Sequence, residues 1–166
     1  MGWNLHLSLV RGRTTDDLVA LGMFGLADDP VSAEEATGLA SPAVAQAGED
    51  LLLIDGALVA TQFSSVLAAR FGAEVVTGIF SSVSDSYVWS VLQPDGSHRS
   101  LAVSAGERQD EGAPLPEEEG LEVLDEDALF DLLQKRTGLD GGWLELPAYP
   151  LVSPPAAPRK RGLFRR

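Results

Sequence analysis

Residues 74–104 constrain the fold of this chain more than any other stretch. They read EVVTGIF, SSVSDS, YVWSVLQ, PDGS and HRSLAVS: three short apolar runs separated by turn-forming residues. Ser81 to Ser86 is polar and turn-prone. Pro94, Asp95, Gly96 and Ser97 place proline and glycine where a β-turn takes them. Connections this short force neighbouring strands to run antiparallel. A three-strand meander is therefore expected here, with Tyr87, Trp89 and Val91 on one face of its middle strand.

The rest of the chain supplies strands and helices around that meander. Trp3 to Leu9 alternates apolar and polar residues, a period-two pattern that puts Trp3, Leu5, Leu7 and Leu9 inward and Asn4, His6 and Ser8 outward. Thr14 with Asp17, and Ser32 with Glu35, have capping-box spacing and start short helices. Residues 26–48 otherwise read as irregular. Leu51 to Ile54 and Ala57 to Ala60 flank Asp55-Gly56, a hairpin signal. A helix from Thr61 to Gly72 buries Phe63, Val66, Leu67 and Phe71, with Arg70 at the edge of that face. A second helix begins at Asp125, buries Leu129, Leu132 and Leu133, and ends at Gly138. Trp143 to Leu146 suggests a last short strand.

These elements predict an α+β fold. It has a mostly antiparallel sheet containing the three-strand meander, with two or three helices packed on one face. A chain of 166 residues is most simply one domain, placed at 1–146. Five prolines between 147 and 158 predict a proline-rich linker, and 159–166 a disordered basic tail. No run approaches the roughly 18 apolar residues of a membrane span. The N-terminus lacks a charged n-region followed by an apolar h-region. A cytoplasmic location is expected.

Charge is distributed unevenly. Five of the 12 basic residues fall in the last eight positions, so residues 1–158 hold seven basic residues against 25 acids, a formal charge of −18. Such a body repels phosphate backbones, which argues against nucleic-acid binding by the folded part. The acids concentrate between Glu107 and Asp131, where 11 stand against Arg108 alone. Gly112, Pro114, Pro116 and Gly120 make the middle of this segment a loop.

Catalytic signatures are sparse. There is no GxxxxGK[ST], GxGxxG or GxSxG motif. The absence of cysteine removes thiolate chemistry and Cys-based zinc sites. His6 and His98 read as solvated strand residues, and no metal or cofactor is expected. Ser81, Ser82, Ser84 and Asp85 beside a histidine form a conceivable nucleophilic set, and a small hydrolase-like enzyme is the corresponding alternative. Asp125, Glu126 and Asp127 lack the glycine and later ligands of a calcium loop. Tyr87, Trp89 and Trp3 are either core residues or the anchors of a partner.

Residues 81–121 carry a further pattern: a serine-rich turn, an aromatic strand, a glycine turn, an arginine-bearing strand and then G-x-PLPEE. The residues are Ser81, Ser82, Tyr87, Gly96, Arg99, Gly112, Pro114, Leu115, Pro116, Glu117 and Glu118. This stretch resembles uncharacterised small acidic proteins of high-GC Gram-positive bacteria. The resemblance implies that meander and PLPEE loop form one structural unit, and it transfers no catalytic residue.

The function expected from the sequence is a non-catalytic interaction protein, an immunity-type inhibitor or adaptor, that meets a basic protein partner through residues 107–127. The contact residues are Glu107, Asp110, Glu111, Glu117, Glu118, Glu119, Asp125, Glu126 and Asp127. The tail residues Arg159, Lys160, Arg161, Leu163, Phe164, Arg165 and Arg166 offer another contact, to anionic lipid at about 1 kcal/mol per charge or to an acidic protein surface. A peripheral membrane protein held by this tail is the remaining alternative.

Overall fold

The computed structural model describes residues 3–154, and the basic tail lies outside them. Ten strands form one sheet in which every pairing is antiparallel. In chain order they are β1 (Asn4–Val10), β2 (Gly25–Leu26), β3 (Val31–Ser32), β4 (Ala43–Ala47), β5 (Asp50–Asp55), β6 (Val75–Ser81), β7 (Ser86–Leu92), β8 (His98–Ser104), β9 (Glu107–Glu111) and β10 (Pro147–Val152). The spatial order is β2-β10-β4-β5-β1-β6-β7-β8-β9, with β3 also on β10. Four helices accompany them: α1 (Thr15–Ala20), α2 (Ala33–Ala36), α3 (Phe63–Phe71) and α4 (Glu126–Thr137).

The meander is present as β6-β7-β8, and it is part of a larger sheet: β1 continues it on one side and β9 on the other. The predicted caps also form. Thr14 and Ser32 make reciprocal capping boxes with Asp17 and Glu35, Asp125 accepts from the Ala128 N–H at 2.9 Å, and Gly72 and Gly138 close α3 and α4 in the left-handed region.

Both faces of the sheet are covered, whereas the sequence placed the helices on one. The first face carries Leu5, Leu7, Leu9, Phe80, Trp89 and Leu101 and packs against Leu129, Leu132 and Leu133 of α4. The second carries Val10, Val44, Leu51, Leu53 and Val75 and packs against Leu18 of α1 and Leu67 of α3. On α3, Ser64 rather than Val66 turns inward, and Val66 and Arg70 are exposed.

Four other expectations are corrected. His6 and Ser8 point away from Leu7, as period two requires, but onto the covered second face, so both are fully buried. Ala57 to Ala60 is not a strand; Asp55 turns this segment by accepting the Ala57 and Ala60 N–H groups, and β5 pairs with β4 across Gly48 instead. Trp143 to Leu146 is a 3-10 turn with Trp143 buried. Finally, Pro147–Val152, expected as linker, is β10, an interior strand. Its prolines are tolerated because its outer pairing is interrupted. β3 meets only Pro147 and Ala148 and β2 only Leu151 and Val152; between them Pro150 turns its carbonyl outward to accept the Ala27 N–H at 2.9 Å, so its missing N–H falls on this interrupted side and not on the β4 ladder.

Candidate functional site

The acidic segment begins as the outermost strand of the sheet. Ala105 and Gly106 both have positive φ (49° and 82°), the backbone of a two-residue type I′ turn. They fold β9 back on β8 with Ser104 opposite Glu107 and Ser100 opposite Glu111. In such a hairpin the residues flanking the turn are hydrogen-bonded and the pairs alternate along the ladder. Arg108 and Asp110 therefore direct their N–H and C=O groups outward, past the last strand. All five residues of β9 are exposed. The sequence shows no strand at 107–111 because Glu-Arg-Gln-Asp-Glu has no apolar residue to show a period; Ala105-Gly106 is the available signal.

After β9 the chain is fastened by a buried ion pair. Arg99 of β8 is 3% exposed and Glu118 is 8% exposed. The Arg99 Nε donates to Glu118 Oε1 at 2.9 Å and its Nη2 to Glu118 Oε2 at 2.6 Å, a bidentate fork. Its remaining nitrogen donates to the carbonyls of Glu111 and Gly112 at 3.2 and 3.3 Å. Asp110 joins from the rim, bonded to both Arg99 and Arg108. Burial opposes ionisation of Glu118, but the Arg99 hydrogen bonds and the Leu115 N–H outweigh it and hold the carboxyl below the usual glutamate range. The hydrogen bonds of Arg108 and then Arg99 depress Asp110 likewise. Arg136, in the last turn of α4, bridges Glu117 at 3.0 Å to Glu74 at the start of β6.

The nine predicted contact residues thus divide. Glu118 is buried and structural, and Glu117 and Asp110 are engaged by arginines. Glu111 pairs with His98 at 3.0 Å yet keeps its side chain 70% exposed. Glu126 accepts from the Ser82 hydroxyl at 2.7 Å. Among the described residues, Glu107, Glu119, Asp125 and Asp127 form no ion pair, although Asp125 is the α4 cap. The tail residues Arg159, Lys160, Arg161, Leu163, Phe164, Arg165 and Arg166 lie outside the described residues. Trp89 and Tyr87 are core residues, whereas Trp3 is only half-buried.

The serine, aspartate and histidine of the meander do not meet. Ser82 and Asp85 lie in the turn before Ser86, while His98 faces Leu92 at the far end of β7. Six residues of strand separate those ends by roughly 20 Å. The polar set that does assemble was not foreseen. His6 Nε2 lies 2.8 Å from Ser8 Oγ and 3.1 Å from Ser64 Oγ, Ser8 and Ser64 are 2.7 Å apart, and Thr77 bonds to both. Asp55 completes a Ser-His-Asp composition, but its Oδ2 is 3.9 Å from His6 Nδ1, too far to orient the ring by a hydrogen bond. His6, Ser8 and Asp55 have no solvent exposure. Burial lowers the His6 pKa to about 4 against the raising effect of Asp55, which keeps the imidazole neutral at pH 7. A substrate has no route to it, and the cluster is a buried polar layer beneath α3 whose hydroxyls and His6 Nε2 bond one another while His6 Nδ1 has no hydrogen-bond partner among the described residues. Ser64 within an apolar helix face was its one trace in the sequence.

No family model, curated protein or solved structure matches the chain. Among the described residues no group of histidine and carboxylate side chains is placed to hold a metal ion, and no helix is long and apolar enough to cross a membrane.

Proposed function

We propose that this protein is a non-catalytic interaction protein of the cytoplasm, an immunity-type inhibitor or adaptor, which binds a basic protein partner through residues 107–127. The observation that carries this reading is the way the segment is built. Arg99 and Glu118 fix its middle from within, while Glu107, Glu119 and Asp127 remain exposed without a cation. A rigid display of unpaired carboxylates loses little side-chain and loop freedom on binding. It also steers a basic partner at long range, an attraction that salt screens.

The test is capture from an extract of the source cells, at about 50 and about 500 mM salt, which brackets the range where surface charges are screened. The bait is the full chain beside a Glu107→Gln, Glu119→Gln, Asp127→Asn variant. The expected result is a basic protein retained at low salt, released at high salt and lost by the variant. A partner held equally by the variant, or no partner at either salt, overturns the reading.

A further inference from the structure

A hollow of about 290 Å³ opens on the α4 side of the sheet, away from β9. Three aromatic rings line it, from three separate parts of the chain. Trp3 precedes β1, Phe130 lies on α4, and Trp143 lies on the 3-10 turn Gly141–Glu145. The Trp3 and Phe130 centroids are 6.3 Å apart at 73°, and those of Trp3 and Trp143 are 6.5 Å apart at 49°. At these angles the rings meet edge-on or tilted rather than stacked. Phe130 also leans on Phe80 at 4.3 Å and Trp143 is buried, so the open aromatic surface of the hollow belongs to the half-buried Trp3 and Phe130. Gln134, one turn after Phe130, and Leu139, Gly141 and Leu144 add to the wall.

The rim carries one charge, and it is negative. Asp140 uses Oδ1 to cap the turn through the Gly142 N–H at 2.9 Å. Its second oxygen has no protein hydrogen bond among the described residues, and Asp140 belongs to no ion pair there. The surrounding body is strongly acidic. Aromatic faces attract cations through their quadrupoles, most strongly where water is excluded. A Lys ammonium is strongly hydrated and loses that shell on entry. An alkylated ammonium group is weakly hydrated and brings methyl surface for the rings as well as a charge for the carboxylate. A neutral apolar ligand leaves Asp140 unused.

We propose that this cavity binds the trimethylammonium group of a small organic cation, with Trp3 and Phe130 against its methyl groups, Trp143 at the floor behind them and Asp140 as the counter-charge. The site is independent of residues 107–127, so it stands or falls apart from the proposed partner.

The probe is choline, titrated into the full chain and followed by amide chemical shifts and tryptophan fluorescence. Its control is 3,3-dimethylbutan-1-ol, in which carbon replaces the nitrogen at the same shape without the charge. Saturable choline binding is expected, with shifts centred on residues 3, 130, 134 and 140–144 and affinity at least about tenfold above the neutral isostere. Asp140→Asn keeps an oxygen for the Gly142 cap and is expected to weaken choline several-fold while leaving the isostere unchanged. Trp3→Leu keeps an apolar side chain, removes a ring and abolishes binding. Equal affinity for choline and the isostere, unchanged choline affinity in Asp140→Asn, or no saturable binding up to about 50 mM overturns the proposal; that ceiling is weaker than a 1 mM ligand at about −4 kcal/mol.

Discussion

His6 has no water to charge into. Its ring is sealed under α3, its Nε2 is held between two hydroxyls, and the nearest carboxylate stands 3.9 Å from Nδ1. Burial lowers its pKa from 6.5 to about 4. The unfolded chain thus takes up the proton first, and stability due to neutral His6 is complete above about pH 6.5 and is lost as pH falls from there to about 4. The gap corresponds to about 3 kcal/mol. Chemical denaturation at a series of pH values should show this loss, and His6→Gln should flatten it in that window. The depressed carboxyls of Glu118 and Asp110 act at lower pH: their contribution is present above the unfolded carboxylate pKa and disappears as pH falls below it. Glu118 is the acid least like the others around it. Glu118→Ala leaves the Arg99 guanidinium buried without its main partner, and urea unfolding should report a loss of about 3–5 kcal/mol; Glu119→Ala, one residue away and exposed, should stay within about 0.5 kcal/mol. Neither role was legible in the sequence. Alternation shows that His6 faces away from Leu7, but not whether that face is covered. A run of three glutamates does not reveal which one meets an arginine 19 positions earlier in the chain.

The same contrast holds for elements. Those with local signals were legible: the meander from its turns, α1 and α2 from their capping boxes, α4 from Asp125, its leucines and Gly138. Elements that exist because of distant partners were not. β4 is a small, weakly apolar run, Ala43-Val-Ala-Gln-Ala47, and becomes a strand between β5 and β10. β10 has proline at two of its six positions, which reads as linker until an interrupted neighbour makes room for Pro150. Its position predicts a large effect. A chain ended at Leu146, the expected domain boundary, lacks the strand that joins β2 and β3 to β4. It also uncovers the backbone of β4 along that side. Such a chain should lose its cooperative unfolding transition, read by circular dichroism against temperature, whereas one ended at Pro154 should keep it. A sharp transition in the shorter chain would show that β10 is an accessory to a fold completed without it.

At the scale of the whole molecule, the sheet is long and its two ends differ. One end is divided between β2 and β3, each only two residues, a common way of leaving little edge to copy. The other is β9, five residues long, regular and fully exposed, with outward N–H and C=O groups at Arg108 and Asp110. A second copy that pairs antiparallel along the whole strand centres on Gln109. That arrangement sets Glu107 against Glu111 of the second copy at both ends; Arg108 and Asp110, which would face each other between them, are already paired within each strand at 2.7 Å, and each body adds its own negative charge. The side chains that make β9 a candidate contact for a basic partner therefore also protect it from its own kind. Replacing both acids by a neutral strand former, Glu107→Thr with Glu111→Thr, removes the repulsion and raises β propensity at once. The double variant should self-associate while the native chain stays monomeric at equal concentration, as read by size-exclusion chromatography with light scattering. High salt should shift the native chain part of the way towards association, because screening weakens the repulsion without supplying the propensity. If the double variant remains monomeric up to about 1 mM, an affinity threshold near −4 kcal/mol, then like charge is not what keeps this edge single, and Glu107 and Glu111 are left with the partner alone to account for them.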